Sequence, residues 1–290
     1  MNIMIERYIS YFKNMNRLTH QSNILRILNK IGIEFPLSDE DLRVDLQLVE
    51  DVLHSSYEGM AFNETKKISI ISDAGRFRVL INLLPELENI YKDFGISFDI
   101  FIATLSDLAL RANQYYDHHH LVGLNSNSGH WLLRIFYLRI FKLGSLQYEL
   151  LKLNFGCLNY TLDWISNENK EQYDGKNVLS VHIMEGSDIR QASVEKSLND
   201  ARVFFESNRP AVFYCCSWLL YPGNQKLLGK PSNILLFAQN FKTIATSSYK
   251  DHAVFSIFGG DINSIPITSL QKRAQKNPEY LGVGVGVIPF

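Results

Sequence analysis

The chain has almost no net charge, few cysteines and no long apolar run. Its 290 residues carry 29 basic and 30 acidic side chains, a formal net charge of −1. That balance excludes the strongly basic surface a nucleic-acid clamp needs. Three cysteines, two of them adjacent at Cys215 and Cys216, are too few for a disulfide framework or a four-ligand zinc site. A reducing compartment, the cytoplasm, is expected. No apolar run approaches the roughly 20 residues of a membrane span, and the pair Glu6–Arg7 comes too early for the core of a signal peptide. What the chain does have is 46% hydrophobic residues, with 18 Phe and 14 Tyr, enough to fill real cores.

Several common catalytic signatures are missing as well. Gly223 and Gly229 are separated by five residues where a phosphate loop needs four, and Pro231 follows Lys230, so the backbone amides cannot wrap a phosphate. Gly282, Gly284 and Gly286 alternate with valines too close to the end of the chain for a helix to follow, which excludes a dinucleotide fingerprint. The alternation predicts a strand with one bare face, open to another backbone or a ligand. No G-x-S-x-G elbow is present. His118, His119 and His120 fall in a polar stretch over 117–130; consecutive residues do not converge on one ion, so no metal is expected and the stretch reads as a loop between domains.

Charge and periodicity divide the chain near residue 125. Residues 1–125 hold 12 basic and 17 acidic residues, net −5, and the remainder 17 and 13, net +4. The first part reads as a mostly helical domain. Ser38 before Asp39, Glu40 and Asp41 reads as a helix cap, with Leu42, Leu46, Val49 and Leu53 as its apolar stripe. Residues 79–110 read as helix broken at Pro85 and near Gly95. From 126 to 290 the pattern becomes α/β: two strands within 131–148, a strand at 178–184, and a helix with stripe Val194, Leu198, Ala201 and Phe205. An uncharged strand follows at 211–220, buried on both faces, then a helix at 232–241 and closing strands at 242–248 and 253–258. The order gives a mixed sheet with one crossover.

Two segments could carry chemistry. His182 lies inside a strand with Glu185 at its end, a pair able to relay a proton. Cys216 lies in the neighbouring strand, where a thiolate with a nearby base would be a nucleophile.

Dispersed short motifs then fall into a familiar order. They are HIMEG at 182–186, SWLLYP at 217–222, Ser232-Asn233-Ile234, Thr268 to Arg273, and Phe141 to Glu149 (FKLGSLQYE). Together with the glycine-spaced ending they resemble a bacterial acyltransferase family in which a helical domain precedes a GNAT-like N-acyltransferase domain. The resemblance spans about residues 95–290. It implies a mixed-sheet core in which parallel strands 178–184 and 211–220 splay around the pantetheine arm of an acyl thioester. The donor would be acyl-CoA or acyl-phosphopantetheine on an acyl carrier protein. It is a co-substrate, with no tightly bound cofactor expected. The acceptor would be an amine, on a small molecule or a peptide. Within that frame His182, then Glu185, is the expected base, and Gly186, Ser187, Ser217, Trp218, Ser232 and Asn233 are the expected donor-pocket residues. Departures are specific. The usual R-x-x-G-x-G/A loop is replaced by Met184 to Arg190, and the late helix has Phe237 and Phe241 where many relatives use an acidic tyrosine, which leaves Tyr221 or a water for that role. Two rival readings are a Cys216–His182 thioester enzyme and a non-catalytic acyl-binding or scaffold protein.

Overall fold

The computed structural model describes residues 3–57, 66–229 and 232–290. Met1 and Asn2, and Lys230 and Pro231 at the end of the rejected phosphate-loop spacing, lie outside them. The described chain forms two compact units, divided between Lys142 and Leu143.

The first unit is helical: α1 (Ile3–Asn14), α2 (Arg17–Ile31), α3 (Leu46–Tyr57), α4 (Lys66–Ile70), α5 (Asp73–Asp93), α6 (Phe98–His119) and α7 (Ser126–Phe136). Four expectations need correction here. Ser38 does not start a helix. Its backbone N–H and hydroxyl donate to the Asp41 carboxylate at 2.8 and 2.6 Å, and this local turn competes with the helix. α3 starts later, where Asp45 Oδ1 accepts from Leu48 N at 3.0 Å. Pro85 does not break α5, because that helix is buried along Gly75–Leu87 and packing outweighs the missing backbone donor. The three histidines do not form a linker either. His118 and His119 close α6, His120 ends it in the left-handed region (φ 54°), and Trp131–Phe136 is helix, not strand.

The second unit is a sheet with helices. Strand β1 (Ile140–Leu143), in which the division falls, is followed by β2 (Leu146–Lys152), β3 (Asp163–Trp164), α8 (Asn167–Tyr173), β4 (Asn177–His182) and α9 (Gln191–Phe204). Then come β5 (Val212–Ser217), α10 (Asn224–Leu228), α11 (Asn233–Gln239), β6 (Lys242–Ser247), α12 (Asp251–Phe258), α13 (Ser269–Lys276) and β7 (Val283–Pro289). The sheet order is β1-β2-β4-β5-β7-β6-β3, antiparallel except for β4 and β5. Helix α9 makes the crossover between those two. It is pinned by Ser197, whose hydroxyl meets Tyr148 Oη at 2.9 Å and accepts from Leu146 N at 3.2 Å.

Segment 253–258 is helix, not strand. Ala253, Val254, Ile257 and Phe258 bury one side of α12 against Leu227, Ala274 and Leu281; a short apolar run carries too little periodicity to choose between the two. The other strand face carries Val178, Tyr214, Ile244, Val285 and Val287 under Leu153, Phe155 and Trp164.

The bare face of β7 is filled by the backbone of Leu220 at Gly284 and by the Phe241 side chain at Gly286, as the glycine spacing allows. A Cβ at Gly284 would lie 2.4 Å from the Leu220 carbonyl oxygen, and one at Gly286 2.7 Å from Phe241 Cβ. Gly284→Ala is therefore expected to destabilise the protein by about 3 kcal/mol, the upper end for overpacking, because the opposing atom is backbone and cannot swing away. Urea unfolding measures it, and a loss under about 0.5 kcal/mol would refute this account of the glycine.

Candidate active site

Strands β4 and β5 begin side by side. Ala211 N donates to Asn177 O at 2.8 Å, and the ladder pairs Leu179 with Phe213 and Ser180 with Tyr214. Pairing stops there, although β4 continues to His182 and β5 to Ser217. The two central strands therefore part at their carboxyl ends. This is the opening expected between them, bounded by 181–182 on one side and 215–217 on the other.

His182 stands at the end of the β4 edge. Side chains alternate along a strand, so His182 shares a face with Ser180 and Val178. Its partner comes from β2, which runs antiparallel to β4 with Gln147 opposite His182 and Glu149 opposite Ser180. This diagonal brings Glu149 Oε2 to 3.3 Å from His182 Nε2; the carboxylate side chain is fully buried and the imidazole 25% exposed. A carboxylate at this distance holds an imidazole in one orientation. Glu149 was inside the strand motif FKLGSLQYE, yet its own residue type suggested no role. A buried acid in an apolar strand was the available signal.

Glu185 lies beyond the strand end, exposed in the turn that follows; the carboxylate that meets His182 here belongs to Glu149. His252, at the start of α12, was hidden by the expectation of a strand over 253–258. His252 is exposed at the surface, yet crowding by protein lowers its pKa, and its neighbour His182 adds to the lowering.

Cys216 continues the register on the opposite edge, on the same strand face as His182. Its thiol meets Tyr160 Oη at 3.1 Å, and Tyr214 is a second phenolic partner. Burial pushes its pKa up, which keeps the thiol protonated and a weak nucleophile. Tyr160, from the connection between β2 and β3, stacks on Tyr249 with centroids 4.6 Å apart. Neither tyrosine was singled out from the sequence, because loop residues carry no periodicity.

The remaining residues fall near the expected elements, several with a structural duty. Ser217 Oγ accepts from Leu219 N at 3.2 Å and opens the short turn 218–220. Buried Asn224 ties that turn down through the Trp218 and Leu219 carbonyls, at 2.7 and 3.2 Å, and Trp218 packs on the α12 cluster. The Tyr221 ring covers Gly282, where a Cβ would come within 2.6 Å of it. Ser232 caps α11 through Leu235 N, and Asn233 is the exposed first residue of that helix.

Gly186 turns the chain after β4 with φ +75°. Ser187 Oγ is buried there without a protein partner among the described residues. Asp188 is engaged by Arg190 and Ser193 at the amino end of α9. Among the described residues no group of three or more His, Cys, Asp or Glu side chains converges as a metal site, and no helix is long and apolar enough to cross a membrane.

Comparison with known proteins adds two family matches. Residues 72–138 match the N-acyltransferase N-terminal domain, and residues 140–281 the GNAT-like C-terminal domain. A comparison with curated proteins finds no match. Among solved structures, an acyltransferase in complex with decanoyl-CoA superposes with TM-score 0.63 at 17% identity, covering 95% of this chain and 100% of that one. An acyltransferase in complex with decanoyl-CoA and teicoplanin gives TM-score 0.62 at 16% identity, with coverage of 95% and 99%. At such identity the likeness is one of fold.

Proposed function

The chain is an acyltransferase of the family that joins an N-acyltransferase N-terminal domain to a GNAT-like C-terminal domain, and from that premise we propose that it transfers an acyl group from a thioester to an amine by direct attack. The observation that carries the reading is the parting of β4 and β5 beyond Ser180 and Tyr214, with His182 at the end of β4 beside the opening and Glu149 reaching it from β2 on the other side. A thioester carbonyl lying in that opening would meet the imidazole from β4. Strand amides past the last ladder pair would be positioned to donate to the oxyanion.

The steps balance without a covalent enzyme intermediate. The amine nitrogen attacks the thioester carbon and a tetrahedral oxyanion forms. His182 takes the proton from that nitrogen. The C–S bond then breaks, the amide is released and the thiolate departs, with the proton held on His182 returned to sulfur directly or through water. Glu149 compensates the imidazolium while it exists. Holding both reactants together supplies much of the rate, worth up to about 7–11 kcal/mol in well-oriented systems. The protonated, buried thiol of Cys216 supports direct attack over an acyl-cysteine relay.

The donor we favour is acyl-CoA, on the strength of the decanoyl-CoA complex of a structural neighbour; a carrier-bound acyl-phosphopantetheine is the other source of the same arm. The acceptor we favour is a primary amine, and a neighbour's complex with teicoplanin makes a peptide-like acceptor the first to try. The test incubates the protein with decanoyl-CoA and a panel of amines. Released thiol and product mass are followed, together with the intact mass of the protein. Amide product with unmodified protein is expected. A protein mass increased by one acyl group, lost on Cys216→Ala, would overturn direct attack; thioester binding with no product from any amine would overturn catalysis.

A further inference from the structure

The loop that joins α12 to α13 is braced along the second of these helices. Gln271 Oε1 accepts from the backbone N–H groups of Ile267 and Thr268, both at 2.8 Å, and Gln275 Nε2 donates to the Ile262 and Ser264 carbonyls at 2.9 and 3.3 Å. Gln271 Nε2 also donates to Ile257 O at 2.8 Å, and Thr268 closes a capping box with Gln271. Ile265-Pro266-Ile267 is therefore held at both ends, with a proline restricting its middle. Held in this way, Ile265 and Ile267 stand 88% and 83% exposed. Single exposed apolar residues are ordinary; two on one braced loop, separated only by a proline, make a surface. The charge beside them has one sign. From Ile262 to Pro278 there are three cations, Lys272, Arg273 and Lys276, and no acid. Ala274 is the buried residue of α13, so at 3.6 residues per turn the three cations fall on the opposite side of the helix, where all are exposed. Lys272 and Lys276 each directly follow a glutamine that holds the loop.

We propose that Ile265, Ile267 and the cationic face of α13 form a surface that docks the protein on an anionic phospholipid bilayer. Charge complementarity selects the headgroups, since lysine and arginine close to the surface are drawn to anionic lipid. The shape selects a fluid phase: side chains that stand clear of the protein enter an acyl layer without needing a matching recess, and their burial there removes apolar area from water. The loop leaves the far end of α12, whose first turn has His252 as the neighbour of His182. That a docked protein meets acyl chains where they partition rests on the acyl-thioester reading above; the docking itself does not.

Co-sedimentation of the full chain with vesicles tests this without turnover, using phosphatidylcholine alone and phosphatidylcholine with about one third phosphatidylglycerol. The parent is compared with Ile265→Ser/Ile267→Ser and with Lys272→Gln/Lys276→Gln. All four positions are exposed, so both variants should fold, and circular dichroism with urea unfolding checks it. The parent is expected to bind the anionic vesicles at least about tenfold more tightly than the neutral ones, and to lose that preference in high salt. The serine pair should weaken binding about tenfold, the scale of one isoleucine side chain fully buried, because two enter part way. The glutamine pair should weaken it about fivefold for each charge removed. A parent that stays in solution with anionic vesicles, or binding that both folded variants retain, overturns the proposal. So does a lipid-free dimer that the serine pair dissociates, which would make a second copy the occupant, or an acyl carrier protein bound through these residues in place of vesicles. Amide formed from decanoyl-CoA by a parent that ignores vesicles removes only the docking; vesicle binding with no amide from any amine removes only the acyl-transfer reading.

Discussion

His182→Gln is expected to lower kcat by about 10²–10⁴-fold, the range a positioned base contributes, with the donor KM nearly unchanged. The substitution isolates proton transfer. Glutamine still offers an N–H toward Glu149, so the buried carboxylate keeps a donor, but a side-chain amide cannot take a proton from an attacking amine. The imidazole nitrogen lies 3.3 Å from Glu149; because the glutamine amide is of similar size and keeps a donor for that carboxylate, the urea midpoint should stay close to that of the parent. Two measurements separate this from a disturbed pocket. Donor affinity measured without turnover should stay within about twofold, and added imidazole should restore part of kcat in His182→Gly, since the cavity then admits a diffusible base. A kcat within threefold of the parent would sink the assignment, because the proton would then leave by another route.

How much of this site was legible beforehand depends on how local each signal is. The α9 stripe Val194, Leu198 and Ala201 is buried as its spacing requires. The uncharged run 211–220 contains β5, flanked by β4 and β7, though its last residues curl into the 218–220 turn where Ser217 offers an oxygen to Leu219 N. The glycine alternation announced a close approach, and the backbone of Leu220 makes it. Glu149 was beyond reach for a different reason. Its meaning depends on the antiparallel register of β2 on β4, a pairing between residues 33 positions apart, and no window along the chain contains both partners. His252 failed with its element: Ala253-Val254 and Ile257-Phe258 fit a short buried strand as well as a helix face until Ala274 and Leu281 are known to lie beneath them. Acidic clusters misled in the first unit, where Asp41 closes a turn on Ser38 instead of opening a helix.

Glu149→Gln is expected to lower kcat on the order of 10²-fold, the lower end of what a positioned base supplies, although Glu149 reaches no reacting atom in this scheme. Its effect passes through the imidazole. In this scheme Nε2 turns to the carboxylate, Nδ1 would accept the amine proton, and Glu149 would offset the charge of the resulting imidazolium. A neutral amide of the same shape keeps the packing and removes that compensation. A purely structural role predicts something else: a fall in stability, shared losses in KM and kcat, and independence from His182. The positioning role predicts a kcat loss with KM retained, partial recovery in Glu149→Asp, and strong non-additivity. In the His182→Gln background, Glu149→Gln should cost less than about threefold further, because the group it serves is already gone. If the two losses instead multiply, Glu149 acts on the reaction by some path other than His182, and the pair is not the proton-handling unit of this acyltransferase.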